Sequence, residues 1–140
     1  MTIVVAYHET PVGRGALGHA LAEARLRGTD LVVLTAPARS GDEPVTHLPE
    51  VAEPLISGSR PADGTVATAD RPAVAVHLRT VVRPEHLADE LLDLAREVDA
   101  ELIVIGLRRR SPVGKLLLGS AAQHILLNST VPVLAVRLPD

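Results

Sequence analysis

Cysteine, phenylalanine and tryptophan are absent from the 140 residues, and tyrosine and methionine occur once each, as Tyr7 and Met1. Without cysteine there is no disulfide, no thiolate metal ligand and no thiol nucleophile. The near-absence of aromatic rings argues against modules that stack unpaired bases on aromatic side chains. An excess of positive charge is missing too. The formal net charge is -3, which leaves no broad basic footprint for duplex nucleic acid. No apolar run approaches a membrane span. The opening MTIVVAYHET has neither the basic n-region nor the long apolar h-region of a secretory leader. The expectation is a cytoplasmic protein with no membrane and no nucleic-acid partner.

Chemistry-bearing constellations are also sparse. The six histidines (His8, His19, His47, His77, His86, His124) show no metal-ligand spacing such as HExxH, so no metal site is expected. Ser111 and Ser120 lack the pattern of a nucleophile elbow. Asp89, Glu90 and Asp93 read as the solvated face of a helix. No catalytic residue is assigned, and the chain is not expected to be an enzyme.

What the sequence has is aliphatic residues in quantity: 46% of it is hydrophobic. Val, Leu, Ile and Ala suit buried parallel strands and the helices that cover them. Thr2 to Tyr7 reads as a buried strand. Thr10 and Pro11 read as N-cap and first residue of a helix. Ala16, Leu17, Ala20, Leu21 and Ala24 recur at helical spacing, and Gly28 closes the helix. Leu31 to Thr35 is a second strand, so the first third of the chain is a right-handed βαβ unit.

The stretch 37–72 carries Pro37, Pro44, Pro49, Pro54, Pro61 and Pro72 with Gly41, Gly58 and Gly64 between them. Proline and glycine at that density interrupt any long element, and the stretch reads as a mobile connection. Ala73 to Val82 is a third strand with Val74, Val76, Leu78 and Val81 inward. Pro84 opens a helix striped by Leu87, Leu91, Leu94, Ala95 and Val98. Leu102 to Ile105 is a fourth strand and Val131 to Val136 a fifth, with Pro132 marking an edge position. Between these two, Ser120 and Gln123 have capping-box spacing for a helix to Asn128. Strands alternating with helices predict one α/β domain over 1–140, a doubly wound parallel sheet. Its ligands belong beyond the carboxyl ends of the strands.

The segment Gly106 to Ser120, GLRRRSPVGKLLLGS, sits at such an end. Gly106 ends a strand, and Gly119 and Ser120 precede or open a helix whose free N–H groups suit a phosphate. Arg108, Arg109, Arg110 and Lys115 supply positive charge. A Walker A loop is excluded, because it requires glycine at 109 and Ser or Thr at 116, where Arg109 and Leu116 stand.

This segment resembles the nucleotide-binding signature of the universal stress protein family, G-x2-G-x9-G-[ST]. Gly106 matches its first glycine, Gly119 its last and Ser120 its closing hydroxyl. The likeness extends to IVVAY, DAELIVIG, LLLGS and VPVLAV, and leaves out 37–72. It implies a five-stranded parallel sheet of order 3-2-1-4-5, like that of adenine nucleotide alpha hydrolases. It also implies a homodimer through the last strand and an ATP site between the first and fourth strands. The site residues carried over are Ala6, His8, Leu34, Gly106, Arg109, Gly119, Ser120 and Ala121. Two of them depart from the pattern. Arg109 replaces the second glycine, where it either obstructs the cradle or lends its guanidinium to phosphate. His8 replaces an aspartate after the first strand, and a neutral imidazole accepts one hydrogen bond with different reach.

The function implied is that of a stress-associated regulator binding ATP or another adenine nucleotide. The alternative is an interaction module of the same fold, acting through its dimer surface or 37–72. A weaker third reading is a small-anion sensor using the arginines.

Overall fold

The computed structural model describes residues 1–36, 45–51, 74–81, 83–108 and 118–137. Among these, five parallel strands form one sheet in the order β3-β2-β1-β4-β5, as the resemblance implies. The strands are β1 (Thr2–Tyr7), β2 (Asp30–Thr35), β3 (Val76–Thr80), β4 (Ala100–Gly106) and β5 (Val133–Val136). The helices are α1 (Pro11–Arg27), α2 (Leu87–Glu97) and α3 (Ser120–Asn128).

β1 is buried on both faces because its residues alternate between two apolar clusters. Ile3, Val5 and Tyr7 join Leu17, Ala20 and Ala24 of α1. Val4 and Ala6 join Leu91, Leu92 and Ala95 of α2 and Ile125 of α3. α1 therefore covers one face and α2 with α3 the other, so the crossover after β1 and the crossovers on either side of β4 leave the sheet on opposite sides. Strand residues two apart share a face, so this alternation decides which neighbours of the site can touch.

α1 begins and ends where its sequence signals lie. The Thr10 hydroxyl accepts from the Gly13 N–H at 3.0 Å, and Gly28 closes the helix at φ 65. Its buried residues are Gly13, Ala16, Leu17, Gly18, Ala20, Ala22 and Ala24. All but one are small, so the helix lies close against the sheet. α2 buries Leu87, Leu91, Leu92, Leu94 and Ala95, most of the expected stripe, with Val98 half-buried. Full burial of one such leucine stabilises by roughly 1.5–3 kcal/mol.

The structure corrects four boundaries or orientations. Val76, expected inward, is 41% exposed. It shares a face with Leu78 but stands at the amino end of an edge strand, past the margin of α1, which lies over β1 and β4. Pro84 opens a 3-10 turn, Pro84–His86, rather than the α-helix itself. The capping box at Ser120 does not form. Gly119 is the N-cap and makes no side-chain cap bond, so Gln123 sits one position too far along. β5 starts at Val133, because a Ser129–Val131 turn, closed by the Ser129 hydroxyl at 2.7 Å from the Val131 carbonyl, precedes it. Pro132 has no N–H to give, yet its carbonyl still accepts from Ile103 at 3.0 Å.

Of the proline-rich stretch, residues 45–51 are described. Val45, Leu48 and Val51 pack half-buried against the α1-side cluster. The rest of 37–72, where the mobile connection is expected, lies outside the described residues.

Candidate functional site

β1 and β4 are neighbours, and the segments leaving their carboxyl ends diverge to opposite faces: α1 to one, α3 to the other. This is the switch point at which doubly wound sheets hold ligands. His8 stands one residue beyond β1, and Arg108 two residues beyond β4.

His8 is half-buried. Burial, and then the positive charge of Arg108, hold its imidazole below the ordinary histidine range. At neutral pH the ring is therefore uncharged, with one nitrogen as donor and one as acceptor. Among the described residues neither nitrogen has a hydrogen-bond partner. A neutral acceptor at the same strand ends as an exposed guanidinium whose charge reaches it suits a ligand that carries both a hydrogen-bond donor and an anionic group.

The turn that presents His8 is tight. Its carbonyl accepts from the Thr10 N–H at 2.7 Å, and the Thr10 carbonyl accepts from Arg14 at 2.9 Å. Gly13 presses on the same carbonyl. A Cβ built there would overlap the His8 oxygen and lie 2.9 Å from its carbonyl carbon. On the other side of the strand the buried Tyr7 hydroxyl donates to Glu9 at 2.6 Å. Arg14 Nε donates to the second oxygen of the same carboxylate at 3.0 Å. Burial and then Glu9 push the Tyr7 phenol up to about 12, so it stays protonated as the donor. Glu9 is thus fully engaged away from His8 and does not stand in for the missing aspartate.

The other expected site residues fall into three groups. Ala6 and Leu34 are register partners on β1 and β2, and both side chains lie in the core shared with α2, so only their backbone is available to a ligand. Gly106 ends β4 against α1, where a Cβ would come within 2.5 Å of Val12 Cγ1. Helix packing by itself accounts for this glycine. Gly119, Ser120 and Ala121 open α3, with Ser120 and Ala121 exposed and the first-turn N–H groups free of a side-chain cap. Arg109, with Arg110, Gly114 and Lys115, lies outside the described residues.

Sequence reading named Arg108 only as one of a run and missed the Tyr7–Glu9–Arg14 cluster. A signal for the cluster existed. A lone tyrosine two residues from a glutamate shares its side of an extended chain, and a buried hydroxyl needs an acceptor. A concavity of about 580 Å³ opens between Thr2, Asp30, His77 and Arg79, away from His8 and towards the amino ends of β1 and β2. Among the described residues no cluster of three metal-binding side chains occurs, and no helix is long and apolar enough to cross a membrane.

Comparison with known proteins agrees with this architecture. A sequence profile of the universal stress protein family matches residues 1–137. A universal stress protein of Mycolicibacterium smegmatis is 41% identical over 135 residues, covering 96% of each chain. Longer universal stress proteins of Mycobacterium tuberculosis are 33% identical, and there the chain spans 47% of the relative's length. Among solved structures, a universal stress protein of Archaeoglobus fulgidus superposes with a TM-score of 0.65 at 29% identity, over 96% of this chain and 97% of that one. A structure of the universal stress protein from the same organism in complex with dAMP gives 0.60 at 25% identity, over 96% of each chain.

Proposed function

This chain belongs to the universal stress protein family, and from that premise we propose that it is a regulatory protein that binds an adenine nucleotide at the β1–β4 switch point and does not turn it over. One observation carries this reading: β1 and β4 lie side by side, so His8, whose imidazole has no hydrogen-bond partner among the described residues, and Arg108 follow the same carboxyl end of the sheet, near enough for the Arg108 charge to act on the ring. The nucleobase or ribose supplies a donor to His8, and the phosphate supplies the anion for Arg108 and the open first turn of α3. The A. fulgidus relative solved with dAMP supports the ligand class. AMP and ATP differ here only in how many phosphates are available to α3 and Arg108.

The test is thermal melting and titration calorimetry with AMP and with Mg-ATP at millimolar concentration. Binding to the native state raises stability by about 2.7 kcal/mol at a hundredfold excess over the dissociation constant. A melting temperature indifferent to both nucleotides overturns the reading. Steady release of inorganic phosphate from ATP would overturn the non-enzymatic part of it alone.

A second reading is favoured by the carboxyl-terminal edge. Leu127 is 83% and Leu126 39% exposed on α3, and β5 is an edge strand with Val133 and Leu134 only half-buried. An apolar edge is an aggregation hazard unless it is paired. We read this edge as the homodimer contact, in a cytoplasmic protein that acts through its dimer surface where no nucleotide is bound. Sedimentation at micromolar concentration gives a dimer mass if this is right and a monomer mass if it is wrong.

A further inference from the structure

His8 has no hydrogen bond of its own to fix its ring among the described residues, so its place depends on the turn that carries it. That turn is three residues long and joins β1 to α1. Its middle residue, Glu9, is held at both ends. One carboxylate oxygen takes the hydroxyl of Tyr7, at 2.6 Å, from the last residue of β1. The other takes the guanidinium of Arg14, at 3.0 Å from Nε, from the first turns of α1. Tyr7 is fully buried, so the clasp is rooted in the core at its strand end, while the Glu9 carboxylate and the Arg14 guanidinium lie at the surface. Glu9 therefore ties strand to helix directly beside His8.

We propose that Glu9 is a positioning residue: clasped between Tyr7 and Arg14, it fixes the β1–α1 turn and with it the placement of His8 at the carboxyl end of β1. The inference rests on the nucleotide-binding reading of the same site. Three contacts act on the turn together. Gly13 closes on the His8 carbonyl from α1, the Thr10 N–H holds the same carbonyl at 2.7 Å, and the Glu9 clasp prevents the intervening residue from swinging outward. Removal of the clasp leaves the phenol of Tyr7 without its acceptor and frees Arg14. The turn then opens, and His8 gains water and is no longer held at the end of β1. Both changes return the imidazole toward ordinary titration, because desolvation and the Arg108 charge are the two causes that hold it down.

The experiment follows the His8 ring by NMR titration in the full-length chain, with His8→Gln to assign the signal, and measures AMP affinity beside it. Glu9→Ala is expected to raise the His8 midpoint toward the ordinary histidine value and to weaken AMP binding about tenfold. Glu9→Gln keeps an oxygen for Tyr7 and is expected to restore most of both. Val104→Ala, a fully buried site on β4, lowers the melting temperature and is expected to leave the His8 midpoint where it was. Should Glu9→Ala fail to fold, Tyr7→Phe removes one hydroxyl and carries the same test. A His8 midpoint unmoved in Glu9→Ala or Tyr7→Phe overturns the positioning role whether or not nucleotide binds. A wild-type chain indifferent to AMP overturns the binding reading alone and leaves the titration to judge the clasp.

Discussion

Replacing Gly13 by alanine puts two physical effects in opposition. Gly13 is the third residue of α1, and intrinsic propensity alone favours alanine over glycine in a helix interior by roughly 0.8–1 kcal/mol. The tertiary contact opposes it. The new Cβ would overlap the His8 carbonyl oxygen and lie 2.9 Å from its carbon and 3.0 Å from its nitrogen. These are backbone atoms and cannot rotate away. Their turn is also held by the Thr10 N–H and by the Glu9 clasp. Relief requires α1 to lift from the sheet, which opens the packing of Ala16, Leu17 and Ala20 against Ile3 and Val5. Overpacking of this kind costs about 1–3 kcal/mol, occasionally more. With backbone on the receiving side the upper end applies, and the net loss after the propensity gain is about 2 kcal/mol. For a chain of this size that lowers the melting temperature by roughly 6–8 °C. Differential scanning calorimetry of wild type and Gly13→Ala gives the sign directly. A variant that melts at or above wild type would refute the argument, because helix propensity would then have won over the contact.

Gly28→Ala isolates backbone strain from crowding: no atom lies within 4 Å of its Cβ but φ is +65, so a loss of about 1–2 kcal/mol is expected by urea denaturation. Gly106→Ala meets the stiff β-branched Val12 Cγ1 at 2.5 Å and the Val12 carbonyl oxygen at 3.1 Å, so its cost should be about 1–3 kcal/mol and should fall only in part in the double variant with Val12→Ala, which removes the side-chain contact and leaves the backbone one, read as a coupling energy. Leu91→Ala empties a fully buried position under α2 and is expected to cost about 2–5 kcal/mol, measured by the same denaturation. Tyr7 binds its proton more tightly when folded, with its pKa raised from 10.0 to about 12. Between those pH values the native state therefore holds more protons than the unfolded chain, and stability falls as pH rises through that window. Melting temperatures from pH 9 to 12 should show a decline that Tyr7→Phe removes. His8 has the opposite sign: its folded pKa is lowered, so stability drops as pH falls below the ordinary histidine value, by a step absent in His8→Gln.

How much of this was legible in the chain depends on how local the cause is. The five strands, the Thr10 cap and the Gly28 stop follow from composition, period and turn chemistry within a few residues of each position. So does the stripe of Leu87, Leu91, Leu94 and Ala95, because burying one face of a helix demands that spacing whatever lies opposite. The order of the sheet followed from the family likeness rather than from any local rule. The failures were at margins, where a neighbour decides. Val76 has the right parity for the core, but α1 does not reach the edge strand. Ser120 has the right spacing for a capping box, but the chain enters α3 one residue earlier, at Gly119.

The candidate site divides along the same line. That ligand chemistry should collect after β1 and β4 was readable from the βαβ pattern, the glycines and the arginines. What Gly106 does was not. It reads equally as a phosphate glycine or a packing glycine, and the folded chain sets it against Val12. That burial and the Arg108 charge lower the His8 pKa, and that Tyr7, Glu9 and Arg14 close a clasp across the turn, were decided only by tertiary structure. The physical reason is range. Propensity, capping and hydrophobic period act over one turn or one strand. Desolvation of an imidazole and the field of a guanidinium a hundred residues away in sequence exist only once β1 and β4 lie side by side.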